Sequence, residues 1–197
     1  KFSMYSESHA DSMTTGQLTA QTVNTITIAG YLGSATVVLA ADATDANTSV
    51  KKVAADVNAV KDSTGIEAVA ITKGKISGLS VGGKVTFDLA ANHTDGAAIT
   101  TYDVTATLAA KTDLDPLVDA INAHAANTGI TAVLGSAASE IILTHQTGET
   151  IEITGLKVNN STDGTMVLTA LDKFGNDIQS KDTTIGRAKN TATAKIT

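Results

Sequence analysis

Apolar and β-branched residues alternate with polar ones along 22–28 (Thr-Val-Asn-Thr-Ile-Thr-Ile), the signature of a half-buried strand. Apolar or alternating runs predict further strands at 35–40, 66–71, 76–81, 84–89, 102–108, 130–134, 140–145, 149–153 and 166–171. Turn-formers punctuate them: Gly30 and Gly33, residues 42–47, 78–83, 92–96, 159–164 and Gly175-Asn176. Gln146-Thr-Gly148 and the glycines of 78–83 read as tight hairpin turns.

The period lengthens to that of a helix in two places. Val50, Val53, Ala54 and Val57 fall at i, i+3, i+4 and i+7, and so do Leu114, Leu117, Val118 and Ile121. Asn47 or Thr48 is placed to cap the first helix, and Thr112 or Asp113 the second, by accepting from free first-turn amides. Pro116 sits in a first turn, where a missing N–H costs least. Gly65 and Gly129 supply a left-handed residue to end each helix.

These two stretches are copies of one another. The segment from Thr48 to Val69 recurs without a gap from Thr112 to Val133, displaced by 64 residues. A repeat of this kind is a supersecondary unit used twice, and a short helix with one apolar stripe must bury it on strands. The expected fold is α+β, β-dominated and antiparallel, with one short helix per repeat. Its divisions are a polar lead-in at 1–21, a first repeat at 22–75, a second at 76–157 and a β-rich return segment at 158–197. The polar, Thr-rich tail from 181 onward is expected to run back beside the lead-in. A chain that starts on Lys1 and ends on Thr197 with these features reads as a piece of something longer.

Composition narrows the function classes. The 197 residues carry a formal net charge of −6, which disfavours a nucleic-acid partner or an anionic membrane surface. No apolar run approaches the ~18 residues of a spanning helix. Cysteine and tryptophan are absent and aromatics are 3%, so the core must be built from Val, Ile, Leu and Ala. No disulfide, thiolate ligand or cysteine nucleophile exists.

Candidate chemistry is sparse. His9, His93, His124 and His145 are scattered, and none stands at the spacing of a His-Glu-x-x-His zinc motif. Ser8, His9 and Asp11 are too close in sequence to form a triad, which a fold must assemble. Asp42, Asp45 and Asn47, and Asn160, Asp163 and Gly164, lack the closing Glu of a calcium loop and read as turns. Asn47, Asn92, Asn159 and Asn160 open Asn-x-Ser/Thr sequons. No catalytic, cofactor-binding or metal-binding residue is assigned, and no cofactor is expected.

The repeat itself carries the most specific signal. A helix ending in Val57-Asn58 or Ile121-Asn122, followed by Thr64-Gly65-Ile66 or Thr128-Gly129-Ile130 and a strand, resembles the "IN" motif of bacterial flagellins and flagellar hook-associated proteins. Ile121-Asn122 matches the name-giving pair, and Val57 departs by one methylene. The resemblance implies the variable middle region of flagellin, an extracellular, non-enzymatic outer domain that projects from the filament and sets its antigenic surface. Its partners would be neighbouring flagellin subunits, with no nucleic acid and no membrane, and with O-linked glycans on exposed Ser/Thr loops. Few aromatics and no cysteine suit the family's export of unfolded chains through a narrow channel. The long terminal helices that polymerise in the family are absent from this sequence. Alternatives are the outer domain of a filament-cap or hook–filament junction protein and, from another class, a secreted adhesin or carbohydrate-binding module. The six Phe and Tyr offer little stacking surface for the last of these.

Overall fold

The computed structural model describes residues 10–12, 24–39, 50–91, 100–161, 164–178, 183–186 and 194–196. Among these residues twelve strands follow one another as β1 (Ala10–Ser12), β2 (Asn24–Ala29), β3 (Ser34–Leu39), β4 (Thr72–Ser77), β5 (Gly83–Ala90), β6 (Tyr102–Leu108), β7 (Ile130–Leu134), β8 (Ile141–His145), β9 (Ile151–Val158), β10 (Thr165–Leu171), β11 (Thr183–Gly186) and β12 (Ala194–Ile196). Helices α1 (Val50–Asn58) and α2 (Lys61–Thr64) lie between β3 and β4, and α3 (Asp115–Asn122) and α4 (Ala125–Thr128) between β6 and β7. The α+β, β-dominated architecture expected from the sequence is what the chain adopts, and every strand pair is antiparallel. Each repeat carries a helix plus a second, single-turn helix rather than one helix alone.

Two five-stranded sheets, β1-β12-β9-β5-β6 and β11-β10-β4-β8-β7, share one hydrophobic cluster. Val85, Phe87 and Leu89 of β5 and Val104, Ala106 and Leu108 of β6 enter it from one sheet, and Ile141, Leu143, Met166 and Leu168 from the other. Alternation accounts for this: inward positions of β6 and β8 are buried and the intervening ones are not. Helix α3 packs on β6 and β7, the edge strands of the two sheets, and closes that side with Leu114, Leu117 and Ile121. The third sheet is the β2–β3 hairpin, which pairs Ile26 with Val37 and Ile28 with Ala35. Ile28 and Val37 form a separate small cluster with Val57 of α1 and Ile66.

The tail and the lead-in do meet: Ala10 pairs with Ile196 and Ser12 with Ala194. Five local expectations are corrected. Residues 66–71 join no sheet among the described residues, whereas their counterpart in the second repeat, β7, pairs with β8. The strand expected at 76–81 is instead Thr72–Ser77, whose inward positions are Thr72, Gly74 and Ile76, and Gly78 at φ 63 ends it. Residues 146–148 and 78–82 make no hairpins. Each carries the chain from one sheet to the other, β8 to β9 and β4 to β5. Neither Thr112 nor Asp113 caps α3; Leu114 occupies that position without a side-chain bond. Burial of Leu114 fixes the start of the helix, and Pro116 removes an amide that a cap would have had to satisfy. The caps proposed at Asn47 and Thr48, and the turn at 92–96, lie outside the described residues.

Candidate functional site

The repeat residues build one hydrogen-bonded device twice. In the second module Asn122 Nδ2 donates to the Ala132 carbonyl at 2.9 Å, and the Ala132 N–H donates to Asn122 Oδ1 at 2.8 Å. In the first, Asn58 Nδ2 donates to the Ala68 carbonyl at 2.9 Å, and the Ala68 N–H donates to Asn58 Oδ1 at 2.8 Å. The carboxamide thus presents one donor and one acceptor to the C=O and N–H of a single residue, as a neighbouring strand would. We call this pairing the Asn clasp.

The turn beneath the clasp is also duplicated. Thr128 Oγ1 donates to the His124 carbonyl at 3.0 Å and accepts from the Ile130 N–H at 3.1 Å. Thr64 Oγ1 does the same with the Val60 carbonyl at 2.9 Å and the Ile66 N–H at 3.2 Å. Gly129 (φ 69) and Gly65 (φ 73) are left-handed and donate their N–H groups to the Ala125 and Lys61 carbonyls. This is the conformation that glycine adopts without steric cost. Val57 and Ile121 are buried beneath their helices, as are Ile66 and Ile130 at the start of the following segments.

The ten motif residues named from the sequence therefore occupy two settings with the same hydrogen bonds and burial: Val57, Asn58, Thr64, Gly65 and Ile66, and Ile121, Asn122, Thr128, Gly129 and Ile130. Sequence reasoning did not find Ala68 and Ala132, which act through their backbones alone. The signal available was their constant spacing of ten residues from each Asn.

The clasp has a definite task in the second module. Strand β7 is the edge of its sheet and pairs with β8 on one side only. Its outward-pointing groups at Ala132 and Ile130 are taken by Asn122 and Thr128. An exposed edge is a template for unwanted strand addition, and here the module's own side chains occupy it. Replacing Asn122 by Ala is expected to lower the free energy of unfolding by about 1–3 kcal/mol, the worth of two such bonds. Asn122→Asp, which keeps the acceptor and loses the donor, should retain part of the loss-free behaviour. Urea denaturation of both variants measures the order, and equal stability of Asn122→Ala and the native chain would remove the clasp from the account.

The histidines do not converge. His124 stacks at 5.6 Å from Tyr102 and its Nε2 lies 3.2 Å from the Asp103 carbonyl. His145 is buried at the end of β8, in register with Ile130 and Thr72. Its Nδ1 lies 3.3 Å from the Glu149 N–H and 3.4 Å from the Thr147 N–H. Burial pushes its pKa below 6.5, against the opposing pull of Glu149 and the Thr128 carbonyl, with Lys51 adding to the lowering. His9 and His93, the Asp42 and Asp45 turn, and the sequons at Asn47 and Asn92 lie outside the described residues. Asn159 is engaged, accepting from the Lys84 N–H at 2.9 Å and donating to the Gly82 carbonyl at 3.2 Å. Among the described residues no group of three His, Asp or Glu is arranged to hold a metal ion, and no helix is long and apolar enough to cross a membrane.

No curated protein and no solved structure matches the chain. Residues 76–146, which run from the end of β4 past β8 and include α3, the Asn122 clasp and the Thr128-Gly129 turn, do match a protein-family model, that of the flagellin hook IN motif.

Proposed function

We propose that this chain is the outward-projecting middle region of a flagellin, a non-enzymatic structural domain that decorates the bacterial flagellar filament. The observation that carries the reading is the match of residues 76–146, which include the Asn122 clasp, to the hook IN motif. The first module supports it, because Asn58, Thr64 and Gly65 repeat the hydrogen bonds of their counterparts, as a second motif of the same kind would. The antiparallel pairing of β1 with β12 supports it too, since a domain hung from a stalk must take its chain in and out side by side. In this reading the ten motif residues are structural, the neighbours are other flagellin subunits, and the location is extracellular. Exposed Ser and Thr loops are the places for O-linked glycans.

An in-frame deletion of this segment tests the proposal. Electron microscopy should show filaments that still assemble and are thinner. Loss of all filaments would overturn the assignment to an outer region.

A further inference from the structure

The first module is fastened to the second at one corner, where the chain leaves β8 for β9. The Lys51 N–H donates to the Gly148 carbonyl at 3.2 Å, and the Lys51 ammonium pairs with the Glu149 carboxylate. Gly148 itself (φ 76) leaves no room for a side chain: a Cβ there would lie 2.4 Å from the Ala70 Cβ and 3.0 Å from a Val50 methyl. Val50, Lys51 and Ala70 all belong to the first module, so its helix start and the segment that follows its helices both rest on this corner.

His145 is the group that shapes the corner from inside. Its Nδ1 faces two backbone amides of the corner, those of Thr147 and Glu149, which requires an unprotonated nitrogen at that position. On its other side Nε2 abuts Gly129, close enough that a Cβ there would lie 2.5 Å away. The strands that flank it contribute Thr72 and Ile130, neither of them charged. The charged groups facing the ring are Glu149 and Lys51. Glu149 is buried, and its Oε2 has no hydrogen-bond partner among the described residues.

We propose that His145 and Glu149 form a proton-operated latch for the first module: neutral His145 holds the corner that grips Lys51, and a proton on Nδ1 expels the two amides and draws Glu149 from Lys51 to the imidazolium. The partnerless Glu149 oxygen gives the charged ring an acceptor within the same corner. Gripping and released states then differ by which cation Glu149 serves. The sign follows from burial: His145 binds its proton less readily in the folded chain than in the unfolded one. The stability it contributes is therefore full above about pH 6.5 and is lost as pH falls through its folded-state value.

Amide hydrogen exchange of the full chain, corrected for intrinsic rates, tests the latch at about pH 7.5 and about pH 5. Protection of the Lys51 and Glu149 amides should fall about tenfold or more at the lower pH, while that of β5 and β6 holds. His145→Asn places a carboxamide oxygen near the position of Nδ1 and cannot titrate, so it should abolish the pH dependence. Lys51→Gln should leave the first module loose at both values. Retained pH dependence in His145→Asn, or native Lys51 protection that ignores pH, overturns the proposal. Should His145→Asn fail to fold, the native ring decides. Its nitrogen shifts must titrate with the same midpoint as the Lys51 amide, and separate midpoints refute the latch.

Discussion

Ile121→Ala is expected to lower the free energy of unfolding by about 2–5 kcal/mol, the range for emptying a well-packed aliphatic site. Ile121 is completely buried on α3, beside Leu117 and Leu114, where that helix closes the gap between edge strands β6 and β7. The cavity would open at the seam of both sheets, with a rigid strand on either side and little freedom to collapse. The equivalent change in the first module, Val57→Ala, removes less and does so in a cluster of only four buried side chains. Its cost should be about 2 kcal/mol. The two should also differ in kind. Ile121→Ala is expected to shift the global urea midpoint, whereas Val57→Ala should accelerate amide exchange in α1 and β2–β3 and leave the sandwich midpoint in place. Equal global shifts would mean that the modules unfold as a single unit.

Gly129→Ala is the second large effect, and its counterpart Gly65→Ala is the control built into the chain. Both glycines are left-handed by nearly the same angle, so a Cβ should cost each about 1–2 kcal/mol in backbone strain. Their neighbours differ. A Cβ on Gly129 would come within 2.5 Å of His145 Nε2, and that ring is buried between two strands. A Cβ on Gly65 would meet the Tyr31 ring at 2.2 Å, but Tyr31 is 84% exposed and can swing into solvent. Gly129→Ala should therefore lose a further ~1–3 kcal/mol from overpacking. Thermal or urea unfolding of the pair checks the difference, and equal losses would show that strain alone governs both sites.

These contrasts explain what could be read from the chain beforehand. Strands 102–108 and 130–134 were legible to the residue, the first from its alternation and the second from its apolar run between Gly129 and Gly135. Helix α3 was legible from its stripe, and both left-handed ends from Gly65 and Gly129. The choice of sheet was not legible. Gln146-Thr-Gly148 suits a hairpin as well as it suits a crossing, and the outcome depends on partners far away in sequence. Strand β4 was placed four residues late because its inward side is Thr72, Gly74 and Ile76, a face defined by smallness rather than hydropathy. Residues 66–71 have the composition of a strand but pair with no strand among the described residues, and no local pattern reports a partner. The repeat disclosed which residues matter in the modules, but not that each Asn would stand in for a strand.

The passage of the chain between sheets also governs the order in which the molecule can form. Strand β4 lies between β8 and β10, and Ser77 finds Val167 across ninety intervening steps of chain. Pairings this distant close large loops before they return any binding energy, which slows folding relative to local structure. The β2–β3 hairpin and α1, whose contacts are close in sequence, can assemble early. A chain delivered from its N-terminus would hold β4 and β5 with unfilled edges until β8, β9 and β10 arrived. The sandwich closes late, and β12, which bonds to both β9 and β1, sets the final seam.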